Sequence, residues 1–228
     1  MMRIAIITGG SRGIGKAVAL ELLKEGYTVV ITSRNLKQLK ETENELKKYG
    51  NIEGIKNNVY NYDDVKELIK TVYKKFGRID ILINNAGVAI WKELDQMNKK
   101  EIDDILDINL KGLTYMCREV IPIMKKQKSG KIINISSGAG KQGYASFAVY
   151  CASKFGVIGL SDSLAKELEK DGIGVYTICP GGVNTKMYLD MEPEADPDSL
   201  LQPEQIAEKI IACVKGKHKN GACIEVYN

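Results

Sequence analysis

The chain has 228 residues, 44% of them apolar and 27% charged, with a formal net charge of +4. These proportions belong to a globular protein and exclude a disordered, collagen-like or coiled-coil chain. The mild charge carries no nucleic-acid footprint, and no run approaches the roughly 18–20 apolar residues of a membrane span. With no basic leader before the first strand-like run, a soluble cytoplasmic protein is expected.

Residues 4–8 read as a short strand. Residues 13–26 read as a helix, with Ile14, Ala17, Val18, Leu22 and Leu23 at helical spacing and a glycine at its end. A strand at 27–33 precedes a polar helix over 36–49, and a weaker strand follows at 52–56. The clearest helix spans 63–76: Val65, Leu68, Ile69, Val72, Tyr73 and Phe76 share one face, Asn61 or Asp63 supplies a cap, and Gly77 follows. A fourth strand at 79–83 leads into a long helical region over 98–127, where Pro122 predicts a kink or break. Strand 131–136, helix 150–170, strand 172–179, helix 203–215 with Pro203 in its first turn, and strand 222–227 complete the series. The stretch 181–202, with Pro193 and Pro197, is too long for an ordinary connection and is expected to be a lid or a mobile segment. Strict alternation of strand and helix predicts an α/β fold, a parallel sheet with helices on both faces. No repeat or linker divides the chain, so one domain over 1–228 is expected.

The five cysteines, Cys117, Cys151, Cys179, Cys213 and Cys223, are scattered and form no C-x-x-C pair. Buried reduced thiols are expected, and with His218 as the one histidine no metal site is expected.

Between the first strand and the first helix lies Thr8-Gly9-Gly10-Ser11-Arg12-Gly13-Ile14-Gly15. Glycines at such a junction let a pyrophosphate approach the free N–H groups of a helix N-terminus. Gly10 to Lys16 also fits most of a P-loop, but Ala17 stands where a magnesium-binding hydroxyl belongs. Gly9-x-Ser11-x-Gly13 fits a nucleophile elbow, whose histidine would have to be His218. A purely structural turn is the remaining alternative. The end of the second strand favours a dinucleotide: it reads Thr32-Ser33-Arg34, with no carboxylate for a ribose 2′-hydroxyl. The arginines are few (Arg3, Arg12, Arg34, Arg78, Arg118), and two of them, Arg12 and Arg34, fall where an adenosine 2′-phosphate would lie. NADP(H) is therefore expected over NAD(H), which stays possible; solvated surface arginines are the alternative.

Tyr150-Cys151-Ala152-Ser153-Lys154 opens a helix, so the Tyr150 phenol and the Lys154 ammonium share a face one turn apart. A cation near a phenol lowers its pKa from about 10 and suits it to proton transfer near neutrality. Ser137 stands thirteen residues before Tyr150, at the end of the fifth strand; Asn84-Asn85-Ala86-Gly87 follows the fourth strand, and Asn109 lies in Asn109-Leu110-Lys111-Gly112. All fall where a parallel sheet presents its ligand crevice.

With these motifs the sequence resembles the short-chain dehydrogenase/reductase family. The match runs from the glycine turn (8–15) through N-N-A-G, N-x-x-G, the Ser–Tyr spacing and Y-x-x-x-K to P-G-x-x-x-T at 180–185, covering about residues 3–187. The resemblance implies a Rossmann-like doubly wound parallel sheet of about seven strands and NAD(P)-dependent transfer of hydride to a ketone or aldehyde, or the reverse. It implies that Tyr150 gives the carbonyl oxygen its proton, Ser137 orients that oxygen, Lys154 lowers the tyrosine pKa and holds the nicotinamide ribose, and Asn109 supports a water relay to the lysine. Cofactor contacts are implied for Gly9, Ser11, Arg12, Gly13, Ile14 and Gly15 in the first turn, and for Ser33 and Arg34 after the second strand. Further along the crevice they are implied for Val59, Asn85, Ala86 and Gly87, and at the nicotinamide for Pro180, Gly181, Val183 and Thr185. Asn58 holds the place of an aspartate that accepts from the adenine amino group, and its amide oxygen can accept too. Ser136 adjoins Ser137, and only spacing favours the latter.

The segment 183–202 is expected to be the substrate loop. Met187, Tyr188, Leu189 and Met191 give it an apolar face, its acidic residues disfavour an anionic substrate, and Ile90 and Trp91 form the opposite wall. A neutral carbonyl or secondary alcohol is expected. The alternative is a 3-oxoacyl-carrier reductase, weakened by an ending, Glu225-Val226-Tyr227-Asn228, that lacks the glycine-rich tail of such relatives. A non-catalytic NADP(H)-binding regulator would lack Tyr150 or Lys154, and both are present. A homodimer or homotetramer is implied through the helices at 99–127 and 150–170, with Leu106, Leu110, Leu113, Met116, Phe155, Ile158 and Leu164 as candidate contacts.

Overall fold

The computed structural model describes residues 2–228. Its strands are β1 (Arg3–Thr8), β2 (Tyr27–Ser33), β3 (Ile52–Lys56), β4 (Ile81–Asn84), β5 (Gly130–Ile135), β6 (Ile173–Pro180) and β7 (Cys223–Val226). They form one seven-stranded sheet in the order β3-β2-β1-β4-β5-β6-β7, every pairing parallel. The helices are α1 (Gly13–Lys24), α2 (Leu36–Leu46), α3 (Tyr62–Phe76), α4 (Lys99–Leu106), α5 (Leu113–Gln127), α6 (Ala148–Leu168), α7 (Lys186–Met191) and α8 (Pro203–Val214).

Strand side chains alternate between faces, which splits the core in two. Ala5, Ile7, Val29, Ile31, Ile83 and Ile178 face α1, α2 and α8. Ile4, Ile6, Val30, Leu82, Ile132 and Val175 face α3, α5 and α6. Burial on both faces is why the strands read as continuous apolar runs rather than alternating ones. Strand order reverses between β1 and β4, and such a switch point opens a crevice at the carboxyl ends of the strands.

The helix ends follow from local chemistry. The Asn61 side chain caps α3, accepting from the N–H groups of Asp63 at 3.0 Å and Asp64 at 3.2 Å. Gly77 ends that helix at φ 72°, a left-handed conformation that glycine adopts without penalty.

Two expectations are corrected. The long helical region breaks at Asp107–Gly112, a π-helical turn, and not at Pro122, which lies inside α5. Pro122 lies on the exposed side of α5 and the helix runs on through it. The stretch 181–202 is ordered rather than irregular. It contains α7, and Val183 bridges Leu201 through Asn184 N–H to Leu201 O (2.8 Å) and Leu201 N–H to Gly182 O (3.0 Å).

Among the described residues no helix is long and apolar enough to cross a membrane, and no group of His, Cys, Asp and Glu is placed to hold a metal. All five cysteines are free; four are buried as expected, but Cys223 is exposed.

Candidate active site

The crevice at the switch point has a volume of about 670 Å³ and takes walls from β1, β2, β4, β5, β6 and α6. At one end stands the glycine turn. Gly9 and Gly13 have φ of 64° and 51°. A Cβ at Gly15 would lie 2.5 Å from the Gly9 carbonyl oxygen and 2.6 Å from Asn85 Nδ2, so only glycine lets the turn close onto α1. Lys16 points away and pairs with Glu45 at 2.7 Å, which removes the P-loop alternative. The Ser11 hydroxyl is buried and donates to Gln38 Oε1 at 3.1 Å, and His218 lines no part of the crevice, which removes the nucleophile-elbow alternative.

Arg12 and Arg34 line this end, both exposed. Neither makes an ion pair or hydrogen bond among the described residues, whereas Arg78 pairs with Asp80 at 2.6 Å and Arg3 donates to Tyr27 and the Glu25 carbonyl. No Asp or Glu lines the crevice among the described residues. Ser33 accepts from Asn35 N–H at 3.2 Å, and Val59 packs its backbone against Gly112. The Oδ1 atoms of Asn57 and Asn58 are buried without any partner, two acceptors waiting on a donor from the crevice.

At the other end, the four residues singled out as catalytic come together. The helix α6 begins at Ala148, two residues earlier than expected, and puts Tyr150 in its first turn. Lys154 Nζ sits 5.6 Å from the centre of the Tyr150 ring and donates to the Ile135 carbonyl at 2.9 Å. Ser137 and Ser136 are separated by their contacts. The Ser136 hydroxyl is buried and donates to the Lys154 carbonyl at 2.9 Å, while Ser137 meets the Tyr150 hydroxyl.

Asn109 is buried in the π turn. Its Oδ1 accepts from Val88 N–H at 2.8 Å, and its Nδ2 donates to the Val88 carbonyl at 2.9 Å and to Ser153 Oγ at 3.1 Å. The extra residue of a π turn aims this amide at both the 85–91 loop and α6. A second buried chain secures α6 to the sheet: Asn84 Nδ2 donates to Asn134 Oδ1, whose Nδ2 donates to Ser161 Oγ, each at 2.9 Å.

The electrostatics depart from the expectation that Lys154 lowers the tyrosine pKa. Burial pushes the Tyr150 phenol up to about 12, opposed by its bond to Ser137. Burial also pushes the Lys154 ammonium down to about 8. Desolvation governs the phenol, and Lys154, held by the Ile135 carbonyl, is not among the groups that lower it.

Asn85 lines the crevice and also braces the glycine turn, its Nδ2 donating to the carbonyls of Thr8 (2.9 Å) and Gly9 (3.0 Å). Ala86 and Gly87 continue that wall, and Pro180, Gly181, Val183 and Thr185 form the opposite one. Thr185 Oγ1 also caps α7, accepting from Tyr188 N–H at 3.4 Å. Sequence reasoning missed Asn57, Gln38, Val88 and Ser153. Only Ser153, inside the Tyr–Lys turn, carried a positional signal.

The profile of the short chain dehydrogenase family matches residues 3–196. The chain belongs to that family. As a member it is an oxidoreductase of the alcohol–carbonyl pair. It is 42% identical over 204 residues to a 3-oxoacyl-[acyl-carrier-protein] reductase of Staphylococcus epidermidis, spanning 89% of this chain and 84% of the relative. It is 35% identical over 219 residues to an uncharacterized oxidoreductase of Staphylococcus aureus, spanning 96% of this chain and 94% of that one. Among solved structures, an actinorhodin polyketide ketoreductase variant with NADPH superposes with a TM-score of 0.93 at 28% identity, over 99% of this chain and 95% of the other. The family fold of a seven-stranded parallel sheet, expected from the motifs, is the one observed.

Proposed function

We propose that this family member reduces a neutral ketone or aldehyde to the alcohol with NADPH, Tyr150 giving the proton to the carbonyl oxygen. The observation that carries this reading is one crevice with two unlike ends. An acid-free end holds the unpaired Arg12 and Arg34, and the other holds Ser137, Tyr150 and Lys154. The ketoreductase neighbour solved with NADPH and the carrier-protein reductase relative support the same cofactor.

The residues fit that cofactor. Arg12 and Arg34 hold the 2′-phosphate, and Asn58 Oδ1 takes a hydrogen bond from the adenine amino group. Ile14 and the N–H groups opening α1 face the pyrophosphate. Bound there, NADPH supplies a hydride to the carbonyl carbon. Ser137 orients the carbonyl oxygen. Tyr150, a neutral phenol at physiological pH, carries the proton, and the Lys154 ammonium stabilises the phenolate that forms. Asn109 positions Lys154 by fixing Val88 and Ser153 on either side of it. The segment 183–202, through Met187 and Tyr188 of α7, covers the substrate.

A second reading, reduction of a carrier-bound 3-oxoacyl chain, is supported by the 42% identity to the carrier-protein reductase. We also infer a homodimer or homotetramer. Leu106 and Phe155 are exposed on α4 and α6 as such pairing requires, whereas Leu113 and Met116 are spent on the chain's own core. Gel filtration at the monomer mass overturns that inference. Free thiols throughout suit the cytoplasm.

The test is NADPH oxidation followed against a panel of neutral ketones, aldehydes and an acetoacetyl thioester. Tyr150→Phe is expected to cut turnover by about 10²–10⁴-fold while NADPH still binds. No turnover across the panel, or near-normal turnover by the Phe variant, overturns the reading.

A further inference from the structure

A ladder of aromatic rings leads from solvent to the Tyr150 phenol. Phe147 packs on Tyr150 with ring centroids 5.0 Å apart and planes tilted by 36°. Trp91 packs on Phe147 at 5.3 Å and 31°. Trp91 remains 50% exposed, so half of a large apolar side chain stands uncovered one ring beyond Phe147 from Tyr150, outside the residues that line the crevice. Contiguous exposed apolar surface marks a binding surface, whereas a single exposed apolar side chain does not.

The two segments that carry these rings are built to hold them in place. Lys92 N–H donates to the Ser146 carbonyl at 2.8 Å, locking the strand-four loop to the approach to α6. Ser146 has φ 60°, a left-handed conformation costly for a non-glycine residue, and that turn delivers Phe147 onto Tyr150. Leu94 and Tyr144, on the same two segments, are also exposed.

Charge narrows what this surface accepts. Lys92 is neutralised by Glu101 at 3.0 Å, Lys141 by Glu225 at 3.2 Å and Lys186 by Asp190 at 2.6 Å. The three lysines around this surface each have their own carboxylate, in contrast to the unpaired Arg12 and Arg34 at the cofactor end. Apart from Lys154, which is buried at the reacting end and held by the Ile135 carbonyl, an anionic substrate tail finds no free lysine there, whereas a planar ring finds an indole face.

Resting on the reductase reading above, we propose that Trp91 and Phe147 determine specificity, forming a stacking platform that selects neutral ketones carrying a planar aromatic group. Offset and tilted ring pairs gain beyond their buried area, enough for about a five- to tenfold preference. The carbonyl lies at Tyr150 and Ser137, and the aromatic group lies along the ladder toward Trp91.

The experiment compares benzylacetone with hexyl methyl ketone, two neutral ketones of similar apolar size, as substrates with NADPH. Benzylacetone is expected to be favoured in kcat/KM by about five- to tenfold, chiefly through KM. Trp91→Leu is expected to bring that ratio close to one, and Trp91→Tyr, which keeps a ring, to restore most of it. Trp91 is the one tryptophan of the chain, so its emission reports binding directly. Benzylacetone is expected to change the emission saturably in the NADP⁺-loaded protein. Equal efficiency with the two ketones, or a Leu variant that keeps the preference, overturns the platform. If neither ketone is reduced, the reductase reading fails, and the emission titration still decides: a saturable change upholds the platform, and no change overturns it.

Discussion

Lys154 donates its ammonium to the carbonyl oxygen of Ile135 at 2.9 Å, at the end of β5, in a place that water scarcely reaches. No carboxylate contributes to holding its charge. A buried cation satisfied only by a backbone dipole is costly, and its pKa falls from 10.5 to about 8. The folded chain is therefore the poorer proton binder. Below about 8 both states are protonated and the native state bears the whole penalty. Between about 8 and 10.5 the unfolded chain keeps its proton while the native one sheds it, so stability rises with pH. The shift corresponds to on the order of 3 kcal/mol, reduced by the hydrogen bond a replacement gives up. Lys154→Met is expected to be the more stable protein at pH 7, by on the order of 2 kcal/mol in denaturant unfolding, while losing activity. A less stable Met variant would show that Lys154 is held without strain.

The same two values shape the rate profile. At neutral pH Tyr150 is a protonated phenol and Lys154 a cation, the pair of states that carbonyl reduction needs. As pH rises through about 8, Lys154 loses the charge that stabilises the nascent phenolate, well before Tyr150 itself titrates. The kcat/KM for reduction, which reports the free enzyme, is expected to fall on the alkaline side with a single ionisation near 8. A reduction profile that stays level from pH 7 to 10 would remove Lys154 from the chemistry.

Asn109 spends its entire amide on Val88 and Ser153, three bonds in a buried setting. A substitution that leaves the Val88 N–H without a partner costs more than one average hydrogen bond. Asn109→Ala is expected to lower stability by about 2–3 kcal/mol. It is also expected to reduce kcat more than it raises the KM for NADPH, since the loosened elements carry Lys154 rather than the phosphate site. An unchanged melting temperature would contradict this.

What the sequence revealed and what it hid have separate physical origins. The sheet and α3 were legible because burial on two faces gives unbroken apolar runs, and burial on one gives a stripe ending in Asn61 and Gly77 caps. Ser137, Tyr150 and Lys154 could be singled out because a strand end and one helical turn give them a spacing that matches a family motif; the spacing by itself is common in helices. The π turn at Asp107–Gly112 was not legible, since one extra residue in a turn leaves the apolar pattern on either side intact. Pro122 misled because the helix tolerates a proline on its exposed side. The phenol of Tyr150 misled because the sequence shows its cationic neighbour but not the desolvation that raises it.

On the proposed reading, cofactor choice rests on Arg12 and Arg34, which come from separate elements, the turn before α1 and the end of β2, and both line the crevice. Neither has a carboxylate to satisfy it, and no acid lines the crevice to repel a phosphate. A planar guanidinium gives a phosphate two parallel charge-assisted bonds, each stronger than a neutral one. Removing one such arginine is expected to weaken NADPH binding by about 10–100-fold, equivalent to roughly 1.4–2.8 kcal/mol, and to leave NADH nearly unaffected because it lacks the 2′-phosphate. Arg34→Ala is thus expected to narrow the preference for NADPH, and Arg34→Asp, which adds a carboxylate beside the ribose, to reverse it. Calorimetric titration of the three proteins with each nucleotide measures this. Salt supplies an internal control: NADPH affinity of the unmodified protein falls as ionic strength rises, and the Ala variant shows a shallower dependence. Equal binding of NADPH and NADH by the unmodified protein would leave these arginines as solvated surface charges and the 2′-phosphate without a site.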